Sequence, residues 1–98
     1  MELYQAEWCP HSHKVRQKLT ELGRSFTALQ VAADPDQRDE MKQRTGTTEI
    51  PVLVTDDGDA VCGEDDILAY LAGFEERVDA EEHRAKAREE VPTFAEVA

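Results

Sequence analysis

Apolar positions in this chain fall in short clusters whose spacing sets the expected elements. Residues 2–5, ELYQ, form a short strand with Leu3 on one side and Tyr4 on the other. Val15, Leu19 and Leu22 recur at i, i+4 and i+7, which predicts a helix with one apolar stripe. Pro10 suits its first turn, where a missing N–H costs nothing, and Gly23 suits its end. Residues 25–31, SFTALQV, read as a second strand. Asp34-Pro35 then opens a helix, with Asp as cap and Pro at the first position, running to about Thr45 before Gly46. Met41 is its one strong apolar residue, so it is expected to lie loosely on the surface. Residues 52–55 and 60–62 form a hairpin turned at 56–59 around Gly58. Gly63 introduces a third helix with a broad apolar face of Ile67, Leu68, Leu71 and Phe74. Residues 75–90 are charged and are expected as a mostly solvated helix, anchored weakly by Val78 and alanines, with a frayed tail from Val91.

This order gives strand–helix–strand, helix, strand–strand–helix. The first unit is βαβ with parallel strands and a right-handed crossover; the second is an antiparallel hairpin. The expected class is α/β, one small mixed sheet with helices on both faces.

Length and charge narrow the classes. With 98 residues the chain has room for one core. The longest apolar run, residues 50–54, is far too short to span a membrane. The acidic start MELYQAE does not read as a signal peptide, so a cytoplasmic protein is expected. There are 22 acids against 11 Lys and Arg, a formal net charge of -11. Such a chain repels nucleic acid and anionic lipid, and neither is expected as a partner. The acids are spread along the chain, which resembles the surfaces of proteins from salt-in halophiles, where salt screens self-repulsion. A halophilic archaeal source is expected on that basis.

Against this acidity, AEWCPHSHK stands out. No acid lies between Trp8 and Thr20, while His11, His13, Lys14, Arg16 and Lys18 do. Cys9 falls at the N-terminal edge of the first helix, where unpaired N–H groups and the positive end of the macrodipole favour a thiolate. The segment is built to lower the Cys9 pKa. A lower pKa raises the thiolate fraction but reduces intrinsic nucleophilicity, with a Brønsted slope of about 0.4–0.5, so the two effects nearly cancel. The net gain is that Cys9 leaves a mixed disulfide readily. Ser12 stands three residues on, so no short Cys-x-x-Cys disulfide can close, and exchange must be monothiol. Cys-x-His-x-His is not a standard zinc spacing, and no metal is expected. Cys62, at the hairpin's end, is expected in the core, with the alternative of a resolving thiol for Cys9. His83 is expected to be solvated.

The segment LYQAEWCPHS resembles the active-site segment of glutaredoxins, whose usual pattern is Cys-Pro-Tyr-Cys; here it is Cys9-Pro10-His11-Ser12. TGTTEIPVLV resembles their cis-proline segment, and CGEDDILAYL their glycine–aspartate segment. The resemblance covers residues 2–74, and extends to the N-terminal domain of glutathione transferases without their helical domain. It implies a thioredoxin-like, glutaredoxin-type fold: a four-stranded mixed sheet, βαβ–α–ββα. Residues 1–74 would be that domain, and 75–98 an extra charged helix and tail.

The resemblance also implies roles. Cys9 is the nucleophile, in a catalytic segment with Pro10 and Ser12. Pro51 is the cis-proline, and the Ile50 backbone pairs with the cysteinyl part of a bound thiol. Glu64 and Asp65 hold a γ-glutamyl group, and His11 joins the thiol-binding set. Ala6 stands where many relatives have a lysine, and Thr47-Thr48 where a basic residue is common. The expected co-substrate is therefore glutathione or γ-glutamylcysteine, with no tightly bound cofactor. Small thiols and protein disulfides are the expected partners of a monomeric thiol–disulfide oxidoreductase. The rival readings are a non-catalytic thiol-binding module resembling the transferase half-domain, and an iron–sulfur cluster carrier.

Overall fold

The structure, a computed structural model, describes residues 1–89. The tail expected from Val91 lies outside them. Strands β1 (Glu2–Gln5), β2 (Thr27–Gln30), β3 (Val52–Val54) and β4 (Ala60–Cys62) form one sheet in the order β2-β1-β3-β4. β1 and β2 are parallel, and both other pairs are antiparallel. This is the expected mixed sheet; β2 and β3 are each shorter than the sequence suggested.

Side-chain alternation divides two cores between the sheet faces. Leu3, Leu53 and Val61 are in register and face helices α1 (Pro10–Leu22) and α3 (Glu64–Leu71). With Val15, Leu19, Leu22, Ile67 and Leu71 they make the larger cluster. Tyr4, Val52 and Val54 face the other way and pack with Met41 of helix α2 (Asp39–Thr45). Met41 is buried, so α2 is fastened more firmly than its polar sequence implies. Helix α1 ends as expected: Gly23 takes a left-handed conformation at φ 66°, and N–H groups of Gly23 and Arg24 close back on Thr20 and Leu19.

Three expectations are corrected. The helix from Asp34 to about Thr45 is broken: Asp34 caps a 3-10 turn at Pro35–Gln37, and α2 starts only at Asp39. Between them, the buried Arg38 guanidinium donates to the carbonyls of Ala32, Ala33 and Thr48. The Arg38 backbone is itself non-helical, at φ -104° and ψ 43°, and its N–H donates to the Pro35 carbonyl at 3.2 Å. Next, the charged segment is helical only from residue 80, though most of that helix is solvated as expected. Helix α4 spans Ala80–Arg88 and packs on α1, with Ala80 buried and Val78 wholly exposed. His83 is accordingly half-buried and meets Asp79 at 3.2 Å. Finally, Cys62 is exposed. It stands opposite Val52 at the end of the edge strand β4.

Candidate functional site

Cys9 is the N-cap residue of α1, with extended backbone at φ -82° and ψ 118° and Pro10 at the first helical position. The Ser12 N–H donates to its sulfur at 3.4 Å. Ser12 is fully buried, and its hydroxyl accepts from the Ala6 N–H at 3.5 Å. Burial exerts the largest effect on the Cys9 thiol and pushes its pKa up. Hydrogen bonds from the Ser12 hydroxyl and N–H and from the His11 N–H, with the Arg16 charge, outweigh it and hold the thiol below its ordinary value. The sulfur of this residue, 5% exposed, is thus a shielded acceptor of several donors.

The basic stretch contributes less to Cys9 than its sequence suggests. Among its charged side chains in the described residues, Arg16 is the one whose charge lowers the thiol. Arg16 is held by the Gln5 side chain and the Ala6 carbonyl, and lies 3.7 Å from Glu7. His11 and Lys14 turn to Glu64, at 2.6 and 3.7 Å. Lys18 meets Glu76 at 3.2 Å. The island is local in sequence but its charges are paired in space.

An open cavity of about 480 Å³ lies between the starts of α1 and α3, in the size range of small-molecule sites. His11, Ile50, Pro51, Glu64 and Asp65 line it, so five of the sequence-derived site residues converge there. The Ile50–Pro51 peptide is cis. The Gly63 N–H donates to the Pro51 carbonyl at 2.9 Å, which ties the start of α3 to that turn. Ile50 makes no backbone–backbone hydrogen bond among the described residues. Glu64, Asp65 and Asp66 occupy the first turn of α3, where carboxylates are favoured. The hydrogen bond from His11 holds the Glu64 carboxyl below its usual range; partial burial opposes this and Lys14 assists it.

Cys9, Pro10 and Ser12 do not line the cavity wall; they adjoin it through His11. Lys14, Gly63 and Asp66 line it and were not singled out as site residues from sequence; Cys62, weighed there as a resolving thiol, lines it too. Helical spacing offered a signal for Lys14, which follows His11 at i+3 and shares its face.

A cysteine shielded at a helix start, adjoining a cavity that a cis-proline turn lines, on a four-stranded mixed sheet, fits a thioredoxin-type fold. The solved structures agree on the fold. A glutathione S-transferase domain-containing protein of Marinobacter aquaeolei superposes with a TM-score of 0.66 at 24% identity, over 89% of this chain and 47% of that one. A Methylobacillus flagellatus glutathione S-transferase solved with bound glutathione gives 0.60 at 27% identity, over 71% of this chain and 34% of that one. A rice glutathione S-transferase in complex with glutathione gives 0.66 at 24% identity, over 89% and 42%. The chain thus spans a third to a half of these transferases. The glutaredoxin family profile matches residues 1–60. Glutaredoxin 3 of Escherichia coli K12 is 33% identical over 72 residues, 74% of this chain and 86% of the relative. This chain belongs to the glutaredoxin family.

Proposed function

We propose that the protein is a monothiol thiol–disulfide oxidoreductase in which Cys9 carries the exchange. The observation that carries this reading is the donor set on the Cys9 sulfur, which holds the thiol below its ordinary value with no cysteine at position 12. The Cys9 thiolate attacks one sulfur of a disulfide, a new S–S bond forms, and the other sulfur leaves as a thiolate. An external low-molecular-weight thiol then attacks the bound sulfur and Cys9 leaves. Family membership and the glutathione-bound transferases support a γ-glutamyl thiol, glutathione or γ-glutamylcysteine, as the co-substrate.

In this reading Pro10 starts the helix that presents Cys9, and Ser12 holds its sulfur. The Ile50 backbone, free of other backbone partners among the described residues, aligns the cysteinyl part beside Pro51. The α3 start with Glu64 and Asp65 holds the γ-glutamyl group, and His11 closes the other side. Residues 1–74 form the functional unit, with 75–98 appended. It works as a cytoplasmic monomer with a salt-adapted surface.

Reduced protein incubated with oxidised glutathione, and separately with bis-γ-glutamylcystine, in high potassium chloride tests this. Intact mass should show one adduct, located on Cys9, absent in Cys9→Ser and removed by the matching free thiol. A folded protein that takes no adduct from either disulfide would refute the oxidoreductase reading and favour a binding module.

A further inference from the structure

We propose that His11 is a further catalytic residue, the acid–base group for the partner thiol, with Glu64 as the residue that positions it. This rests on the exchange reaction proposed above. His11 Nδ1 lies 2.6 Å from Glu64 Oε1, joining the first turn of α1 to the first turn of α3. An ionised carboxylate only accepts hydrogen bonds, so Nδ1 carries a hydrogen and donates it. The neutral ring then has its lone pair on Nε2, and the charged ring gives up its proton there. The other Glu64 oxygen is steadied by Lys14 at 3.7 Å.

His11 turns its side chain to Glu64 and the cavity, which Cys9 adjoins in sequence. Its backbone N–H serves the Cys9 sulfur, but its side chain reaches to Glu64 across the cavity that Ile50 and Pro51 also line. The ring is 65% exposed, so it is open to a bound partner. Among the described residues its surroundings are otherwise acidic or neutral: Asp65, Asp66 and Cys62 share that wall, with Lys14 the one other base lining it. A Glu–His pair facing the cavity, and not the nucleophile, suits the sulfur that departs rather than the one that attacks.

The step balances. Cys9 thiolate bonds to the near sulfur of a disulfide; the S–S bond breaks and its electron pair leaves on the far sulfur. That thiolate takes the proton from Nε2 of the charged imidazole. When the external thiol enters, its proton passes to Nε2, its thiolate attacks the bound sulfur, and Cys9 leaves as thiolate. The ring ends as it began.

Leaving-group dependence tests this. Single-turnover rates of adduct formation on Cys9 are measured with an alkyl disulfide, whose leaving thiol has an ordinary pKa of about 8.5, and with an aromatic disulfide, whose leaving thiolate needs no proton. The ratio of the two rates is the readout. His11→Gln should lower the alkyl rate relative to the aromatic rate by about tenfold, below the usual 10²–10⁴ for general acids because thiolates leave unaided more readily than alkoxides or amines. Glu64→Ala should shift the ratio the same way by less, and Glu64→Gln, which still accepts from Nδ1, should recover part of it. An unchanged ratio in His11→Gln would overturn the proposal, even if both rates fall together. Absence of any Cys9 adduct in the wild type with either disulfide would instead fail the underlying exchange reading.

Discussion

Helix α1 makes two ionic attachments to later parts of the chain, and they do different work. Near its start, His11 and Lys14 grip Glu64 of α3 at the edge of the cavity. Near its end, Lys18 and Glu21 join Glu76, Arg84 and Glu81 in a network that fastens α4. Both draw on one basic stretch and both recruit acids distant in sequence. The first leaves Cys9 with Ser12 and Arg16 as its supports. The second lies away from the cavity. Charge that looks like a single thiolate-stabilising island is thus divided between assembling the site and docking a helix.

Removing the apolar stripe that both attachments share should have the largest effect. Leu19 is fully buried in the core between α1 and α3. Leu19→Ala should cost about 2–5 kcal/mol in chemical denaturation, lost transfer energy plus a residual cavity. A value under about 1 kcal/mol would mean the stripe is not the common base of the two clusters.

A finer break separates the clusters by their reach to Cys9. In a Cys62→Ser background, Arg16→Gln should raise the pH midpoint of Cys9 alkylation, because it removes the one basic side chain acting on the thiol. Lys18→Gln should leave the midpoint in place. Equal shifts would restore the picture of a diffuse positive island.

The α4 network is ionic and partly exposed. Arg84→Ala should lower the denaturation midpoint at low ionic strength, and the loss should shrink in multimolar potassium chloride as the exposed pairs are screened. A loss that grows with salt would contradict an ionic clasp.

The smallest effect is expected from pH. His11 first, then Lys14, hold Glu64 below its ordinary range. A carboxyl with a depressed folded-state pKa contributes stability that is present above its unfolded value, about 4.3, and is lost as pH falls through the folded one. The stability difference between wild type and Glu64→Gln should therefore fade as pH falls across that acid window.

Much of this was legible from local rules. Pro10 and Gly23 bound α1, Gly58 turns the hairpin, and Leu3 and Tyr4 point to opposite cores, because caps, turns and alternation depend on near neighbours. The grouping of His11, Ile50, Pro51, Glu64 and Asp65 around one cavity was expected from the resemblance to glutaredoxins and not from local rules. What escaped was set by distant partners. The helix breaks at Arg38, whose guanidinium bonds carbonyls on two loops. Cys62 is exposed because β4 is an edge strand. Arg84 docks α4 through Glu21, far back in the chain. The fate of the basic stretch belongs with these: its lack of local acids was visible, while Glu64 and Glu76 arrive only on folding.

The claim at the centre is that Cys9 is a thiolate stabilised by its own helix start. The most direct measurement is the rate of Cys9 alkylation against pH, in Cys62→Ser and in the same protein carrying Ser12→Ala. The midpoint should lie below the ordinary thiol range of about 8.5, and Ser12→Ala should move it upward. A midpoint at or above that range, unmoved by Ser12→Ala, would contradict the account, leaving Cys9 a buried thiol whose desolvation prevails.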